Sequence, residues 1–168
     1  MTCEPFNDDE PLAYFITWTT YGTWLPGDDR GWNRIGGADI LDPNPLFQEM
    51  ARNSMKETAF VLGQDDRDEI ENTIIRHCQI RQWKLHAVNV RSNHVHVVVT
   101  APNYSPETVR DQFKGWGTRR LKSKYVDRER FWTQRGSCRW LNQESELEST
   151  VMYVTDAQDR KALDYEQE

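Results

Sequence analysis

The stretch His94-Val95-His96-Val97-Val98-Val99 decides how this chain is interpreted. Valine is β-branched and favours strands, so the run predicts a β-strand. Side chains alternate between the two faces of a strand, which places His94 and His96 on one face, about 7 Å apart along it. Two imidazoles so placed can bind one divalent metal if a third ligand comes from elsewhere. Two half-buried histidines with ordinary hydrogen bonds would show the same pattern, so the surrounding sequence has to decide.

The segments on either side of this strand predict an α+β domain. Hydrophobic periodicity, turn residues and helix-capping residues set the bounds of each predicted element. In chain order these elements are a strand at 14–21, a short helix near 45–57, a helix at 65–81, strands at 83–90 and from 94, a helix from 106 to about 125, a fourth strand within 131–141 that could be a hairpin, and a last helix from about 142 through 154. This order is that of a ferredoxin-like antiparallel sheet with helices packed on it.

The length of 168 residues suits one domain. We expect that domain to span residues 1–168, with its core at about 13–158, an insertion at about 31–63 and a frayed tail at 159–168. Residues 31–45 of this insertion are rich in Gly, Asn, Asp and Pro and are expected to be a long loop, and long loops are usually functional or mobile. No apolar run approaches 18 residues and the N-terminus is acidic, so we expect no membrane partner. Three widely spaced cysteines are typical of a reducing, cytoplasmic location.

Charge is distributed unevenly along the chain. The net charge is −6, yet residues 107–139 hold ten basic against four acidic residues. A basic surface on an otherwise acidic protein is typical of a polyanion partner, although a solvated helix would show the same charges. The side chains that we expect to contact DNA are Arg91 and Asn93 beside the histidine strand and, on the basic helix, Lys114, Arg119, Arg120, Lys122 and Lys124.

The hairpin from Leu85 to Val99, with its Asn-His-Val-His core, resembles the His-hydrophobic-His motif of the HUH-type single-tyrosine transposases. It is most similar to the REP-associated tyrosine transposase branch of the insertion-sequence enzymes. The basic helix and the last helix, which contains Tyr153, agree with that family in order and rough spacing. The resemblance implies a transposase, an enzyme that cleaves and rejoins single-stranded DNA through a covalent 5′-phosphotyrosine. It implies Tyr153 as the nucleophile and His94 and His96 as metal ligands.

The third metal ligand of this family is usually Gln or Asn, one helical turn after the tyrosine. That position is Ala157 here, so we expect Gln158 to complete a Mg²⁺ or Mn²⁺ site, with Asp156 as the alternative. The implied partner is single-stranded DNA from hairpin-forming repeat ends, and both a monomer and a homodimer are compatible with the sequence. An alternative function is a non-catalytic single-strand nucleic-acid-binding module, a decayed or domesticated transposase, which would bind through exposed aromatic side chains.

Overall fold

The computed structural model of the protein describes residues 10–34 and 39–157. Its centre is an antiparallel sheet of four strands in the described residues: β1 (Ala13–Thr19), β2 (Lys84–Val90), β3 (His94–Thr100) and β4 (Ser137–Leu141), in the order β2-β3-β1-β4. The helices are α1 (Pro45–Asn53), α2 (Gln64–Arg81), α3 (Pro106–Lys124) and α4 (Glu144–Met152), and a π-helical turn follows at Tyr153–Ala157. The predicted ferredoxin-like α+β architecture is confirmed. No helix among the described residues is long and apolar enough to cross a bilayer.

Strand β3 occupies the interior of the sheet, which explains its valines. It pairs with β1 on one side and with β2 on the other. Val95, Val97 and Val99 face the larger hydrophobic core, in which α2 and α3 pack on the sheet. Because strand residues alternate, His94 and His96 lie on the opposite face. The histidines are therefore separated from α2 and α3 by the thickness of the sheet.

The second face carries a smaller core and the C-terminal helix. Leu147 of α4 and Val154 of the π-helical turn pack there against Val98 of β3. One continuous helix through residue 154 was predicted, but α4 ends at Met152 and the chain continues as a π-helical turn. Asn89 of β2 donates from Nδ2 to the Val154 carbonyl at 2.8 Å. This hydrogen bond ties the π-helical turn to the sheet.

The predicted hairpin within 131–141 does not form. Residues 131–133 lie instead beside the end of β1, where Thr133 N donates to the Thr19 carbonyl at 3.0 Å and Tyr21 N to the Phe131 carbonyl at 2.9 Å. Residues 137–141 form β4 on the same edge of β1. Both segments pair with β1 because Phe131 and Leu141, at their far ends, are each buried in a core.

The segment between β1 and α2, which includes the predicted insertion, is an ordered part of the fold over its described residues. Asn44 caps α1 through its side chain, which accepts from Phe47 N at 3.1 Å. No residue of α1 is buried. The chain then re-enters the larger core at Phe60 and Leu62, whose backbone amides bond to the Tyr21 and Ser92 carbonyls at 2.8 and 2.7 Å. The segment is thereby fixed beside the end of β1 and the β2–β3 turn.

Candidate functional site

Two imidazoles from β3 form the centre of the site. The ring centroids of His94 and His96 lie 4.7 Å apart. Nδ1 of His94 is 2.8 Å from Asn93 Oδ1, and Nδ1 of His96 is 2.7 Å from Thr17 Oγ1. Histidine ligands ordinarily bond through one ring nitrogen to a neighbouring oxygen and coordinate through the other. Both rings are bonded to a neighbouring oxygen in this way through Nδ1.

The environment of His96 keeps its ring neutral. Only 7% of the residue is exposed. Burial, followed by the nearby His94, lowers the pKa of His96 from 6.5 to about 3. A metal binds the neutral form of imidazole, so His96 needs to lose no proton to act as a ligand near neutral pH.

Tyr153 lies beside the histidine pair in the same chain. Its ring is 6.0 Å from that of His96 and 6.3 Å from that of Phe15, with edge contacts to both. Phe15 in turn stacks on His96 at 5.4 Å. Tyr153 is 36% exposed and is the first residue of the π-helical turn. Such turns are frequent at functional sites because they shift a side chain out of the regular helical register.

The predicted nucleophile Tyr153 and the predicted ligands His94 and His96 line one cleft of about 1670 Å³. One wall is the β3 face with His94 and His96, and Tyr153 stands at its side. The other wall comes from the loop after β1, from α1 and from the residues that follow α1. The volume exceeds the roughly 300–1,000 Å³ of pockets for small molecules. A cleft of this size suits a segment of a polymer.

The side chains at the site match part of the set of ligands that we expect for a metal. Within the described residues, no group of three His, Cys, Asp or Glu side chains could hold a metal. Asp156, the alternative third ligand, therefore does not join His94 and His96. Gln158 lies outside the described residues. The imidazoles of His94 and His96 fit the nitrogen part of the expected set of ligands, and the remaining ligands of that expected set are oxygens.

The basic side chains predicted to bind DNA on α3 do not line this cleft. Helix α3 packs on the opposite face of the sheet, and its cations have local partners. Lys114 Nζ donates to the Thr133 and Arg135 carbonyls at 2.8 and 2.7 Å, and burial lowers its pKa to about 8. The other cations of α3 pair as follows: Arg119 with the Trp116 ring, Arg120 with Glu69, Lys122 with Glu129 and Lys124 with Asp66. The structure thus separates this helix from the histidines.

The two predicted DNA contacts of the β2–β3 turn differ in their placement. Asn93 lines the cleft but is only 7% exposed, and its side-chain Oδ1 contacts Nδ1 of His94. In this arrangement the Asn93 side chain holds the His94 imidazole in its orientation. Arg91 is half-buried, and its backbone amide donates to the His94 carbonyl at 2.8 Å. Contact of either side chain with DNA stays a prediction.

Sequence reasoning missed Thr17 and Phe15, which contact His96 from the neighbouring strand. Their place follows from the β1–β3 register, which sets Thr17 opposite His96. The alternation of the first strand marks them as sharing a face, but no local signal gives the register. The strand pairing had to be known before either residue could be assigned to the site.

The fold and the geometry of the candidate site point to a class of protein, and comparison with known families identifies that class. The sequence profile of the family described as "Transposase IS200 like" matches residues 53–157, more than half of the chain. The chain belongs to the IS200-like transposase family, and the family expected from the histidine motif is confirmed.

One solved structure shares this fold. A REP-associated tyrosine transposase bound to a REP hairpin matches with a TM-score of 0.51 and 11% identity, over 96% of this chain and 74% of that one. At that identity the likeness shows the fold alone. A candidate transposase from Deinococcus radiodurans R1 matches with a TM-score of 0.49 and 14% identity, over 83% of this chain and 86% of that one. No curated protein matches the chain.

Proposed function

We propose that this member of the transposase family cleaves and rejoins single-stranded DNA through Tyr153. The phenolic oxygen of Tyr153 attacks a backbone phosphorus and the P–O3′ bond breaks. The phosphate stays on the 5′ end of the downstream strand, now linked to Tyr153, and the upstream strand leaves with a 3′-hydroxyl that takes up a proton. The observation that supports this proposal is the convergence of Tyr153, His94 and His96 on one cleft.

We propose His94 and His96 as ligands of a divalent metal, Mg²⁺ or Mn²⁺, with Gln158 as the third. When bound, such an ion neutralises charge on the phosphate that is attacked and orients it for in-line displacement. The chain's own contribution is to orient the ligands. Thr17 and Asn93 hold the two rings through Nδ1, and burial keeps His96 neutral.

A phenol is a weak nucleophile unless its surroundings activate or position it. Positioning is therefore the main contribution of the fold to its reactivity. The edge contacts with Phe15 and His96 hold the Tyr153 ring next to the histidine pair. The phosphotyrosine conserves the energy of the diester, so attack by a second 3′-hydroxyl joins strands without ATP.

We propose as partner a single-stranded DNA that includes a hairpin-forming repeat end. The structurally similar REP-associated transposase is bound to a REP hairpin, which supports this partner. We also propose that residues 1–168 act as a single catalytic domain with its core at about 13–158, because Asn89 of β2, the strand paired with the histidine strand β3, bonds to the turn that carries Tyr153.

The test is formation of a covalent adduct. Wild-type protein and Tyr153→Phe are incubated with Mn²⁺ and a panel of single-stranded oligonucleotides that contain hairpins. The adduct is then detected on a denaturing gel and located by peptide mass spectrometry. We expect an adduct at Tyr153 that is lost in Tyr153→Phe and in the presence of a chelator.

Tyr104→Phe is the matched control, because Tyr104 packs against the larger core on the opposite face of the sheet. This variant should form the adduct as the wild type does. An adduct in Tyr153→Phe would show that the nucleophile is wrongly assigned. Tight, chelator-independent binding with no adduct under any condition would favour the non-catalytic binding module.

A further inference from the structure

The wall of the cleft that faces the histidines is built mainly by residues that precede the family match, which begins at residue 53. Trp24 and Arg30 of the loop after β1 line this wall, together with Gln48 and Arg52 of α1 and with Lys56, which follows α1. None of these residues has a role in the proposed cleavage step. We refer to these five residues as the outer wall.

Trp24 is held rigidly at the outer wall and is still 39% exposed. Its Nε1 donates to the Gly31 carbonyl at 2.8 Å, and the Arg30 guanidinium carbon lies 4.2 Å from its ring centroid. Arg30 is itself fixed by two bonds of 2.7 Å to the Asp28 carboxylate and one of 2.8 Å to the Thr23 carbonyl. The indole is therefore held in one orientation, with a guanidinium on its ring, at the edge of a solvent-filled cleft.

Asp28 is the buried anchor of this arrangement. It is 4% exposed, and the hydrogen bonds from Arg30 hold the pKa of its carboxyl below the ordinary value. A buried carboxylate fixes a bidentate arginine with little freedom. Burial alone would not require a tryptophan ring to be fixed in one orientation. Trp24 is fixed in one orientation and is still in contact with water. An aromatic ring that is already fixed in orientation loses little conformational freedom when another ring stacks on it.

Helix α1 presents a polar face to the cleft. Gln48 and Arg52 are four residues apart, so they share one side of the helix, and both line the cleft. Arg52 and Lys56 are exposed, and neither makes an ion pair within the described residues. Glu57, which also lines the cleft, is occupied because its oxygens accept from the backbone amides of Glu129 and Arg130.

The loop and α1 form one connected piece. Asn44 N donates to the Gly27 carbonyl at 2.9 Å. Gly27 has a φ of +88°, and a Cβ there would lie 2.3 Å from the Asn44 carbonyl oxygen. Only glycine allows this approach, so Trp24 and Arg52 are held at a fixed spacing.

We propose that the outer wall binds unpaired nucleotides of the DNA strand next to the cleavage site. Trp24 stacks on one base, while Arg52 and Lys56 contact backbone phosphates. Stacking on a protein ring needs a base with an accessible face, which bases inside a duplex do not offer. The inference rests on the proposed function for its substrate, single-stranded DNA, but it concerns binding and is tested without cleavage.

The experiment measures equilibrium binding of a fluorescent, mixed-sequence single-stranded oligonucleotide by anisotropy. Every protein carries Tyr153→Phe so that no covalent product forms. Removing one base-stacking ring costs about 1–3 kcal/mol, so Trp24→Ala should weaken binding by roughly 5- to 150-fold. The matched control is Trp140→Ala. Trp140 is 51% exposed but contacts Tyr14 on the side of the larger core, and its loss should leave affinity unchanged.

Trp24→Phe separates stacking from folding. Phenylalanine keeps a ring, so this variant should retain most of the affinity. It should also lose part of the quenching of tryptophan fluorescence that DNA causes in the parent protein. Arg52→Gln should reduce the slope of log affinity against log salt by about 0.7, as expected for one phosphate contact on a single strand. Arg81→Gln, at the end of α2, should leave that slope unchanged.

Three results would overturn the inference: unchanged affinity in Trp24→Ala, equal losses in Trp24→Ala and Trp140→Ala, or full quenching in Trp24→Phe. Failure of the inference is distinguishable from failure of the proposed function. If the Trp24 variants bind as the parent does while wild type forms the Tyr153 adduct, only the outer-wall proposal fails. If the variants bind weakly but no adduct ever forms, the outer wall stands and the cleavage proposal fails.

Discussion

Acidification should destabilise the metal-free protein through His96. Its pKa is 6.5 in the unfolded chain and about 3 in the folded protein, where burial disfavours the charged ring. Between these values the unfolded state binds one proton more than the folded state. The free energy of unfolding therefore keeps the full contribution of His96 above about pH 6.5 and loses about 1.4 kcal/mol per pH unit below it.

The expected effect is large enough to measure. From about pH 6.5 to about pH 4.5 the loss amounts to roughly 2–3 kcal/mol, against total stabilities of about 5–15 kcal/mol. The assay is urea unfolding in EDTA across this range, for wild type and for His96→Gln, whose side chain does not titrate. His86, whose pKa is also lowered by burial, is present in both proteins, and its contribution cancels.

The measured quantity is the difference in unfolding free energy between the two proteins. His96→Gln is expected to start less stable near neutral pH, and the gap should narrow by about 2–3 kcal/mol on acidification. If the two curves run parallel, His96 titrates alike in both states. In that case the reasoning that burial keeps its ring neutral is refuted.

Three further predictions concern residues that hold the candidate site and the cleft wall in place. Thr17→Val removes the hydroxyl 2.7 Å from Nδ1 of the buried histidine, and we expect Mn²⁺ affinity to fall by about 10- to 100-fold in calorimetric titration. Asn89→Leu removes the donor 2.8 Å from the Val154 carbonyl, which should cost about 1–3 kcal/mol in urea unfolding. Gly27→Ala forces a side chain into a φ of +88°, and we expect Tm to fall by at least about 2–4 °C.

Two of these predictions have matched controls in the chain. Thr19→Val also removes a hydrogen-bonding hydroxyl from β1, here one bonded to Thr133 at 2.9 Å, and should leave Mn²⁺ affinity unchanged. Gly115→Ala places a methyl group in open space within α3 and should not lower Tm. Equal loss of metal affinity in Thr17→Val and Thr19→Val would contradict a specific role for the Thr17 hydroxyl. An unchanged Tm in Gly27→Ala would contradict the close packing of the loop on α1.

The elements that could be predicted from the sequence are those with local signals. Ser105 and Pro106 marked the start of α3, and Ser105 Oγ accepts from Thr108 N at 3.2 Å as a helix cap does. The valines of β3 marked a buried strand, and its two histidines marked one face. These features depend on residues within a few positions of one another, so periodicity and capping are enough to find them.

The features that could not be predicted depend on contacts between distant parts of the chain. Residues 131–133 satisfy the ordinary pattern of a hairpin strand, yet they pair with residues 19–21, at the end of β1 and just beyond it, on the edge that β4 also occupies. The π-helical turn at Tyr153 forms where Asn89, distant in sequence, bonds to the backbone. The place of α1 in the cleft wall follows from its packing on the loop at Gly27, which has no signature in the periodicity of either segment.

The two faces of the sheet differ in role: one carries the larger hydrophobic core and the other carries the candidate site. Val95, Val97 and Val99 join α2 and α3 in the larger core, while His94 and His96 face the cleft. Under the outer-wall proposal, substitutions in Trp24 or Arg52 alter how tightly a single strand is bound without removing an atom from that core. Folding and strand binding are separately mutable in such an architecture, so a lineage can change its affinity for DNA while its scaffold persists.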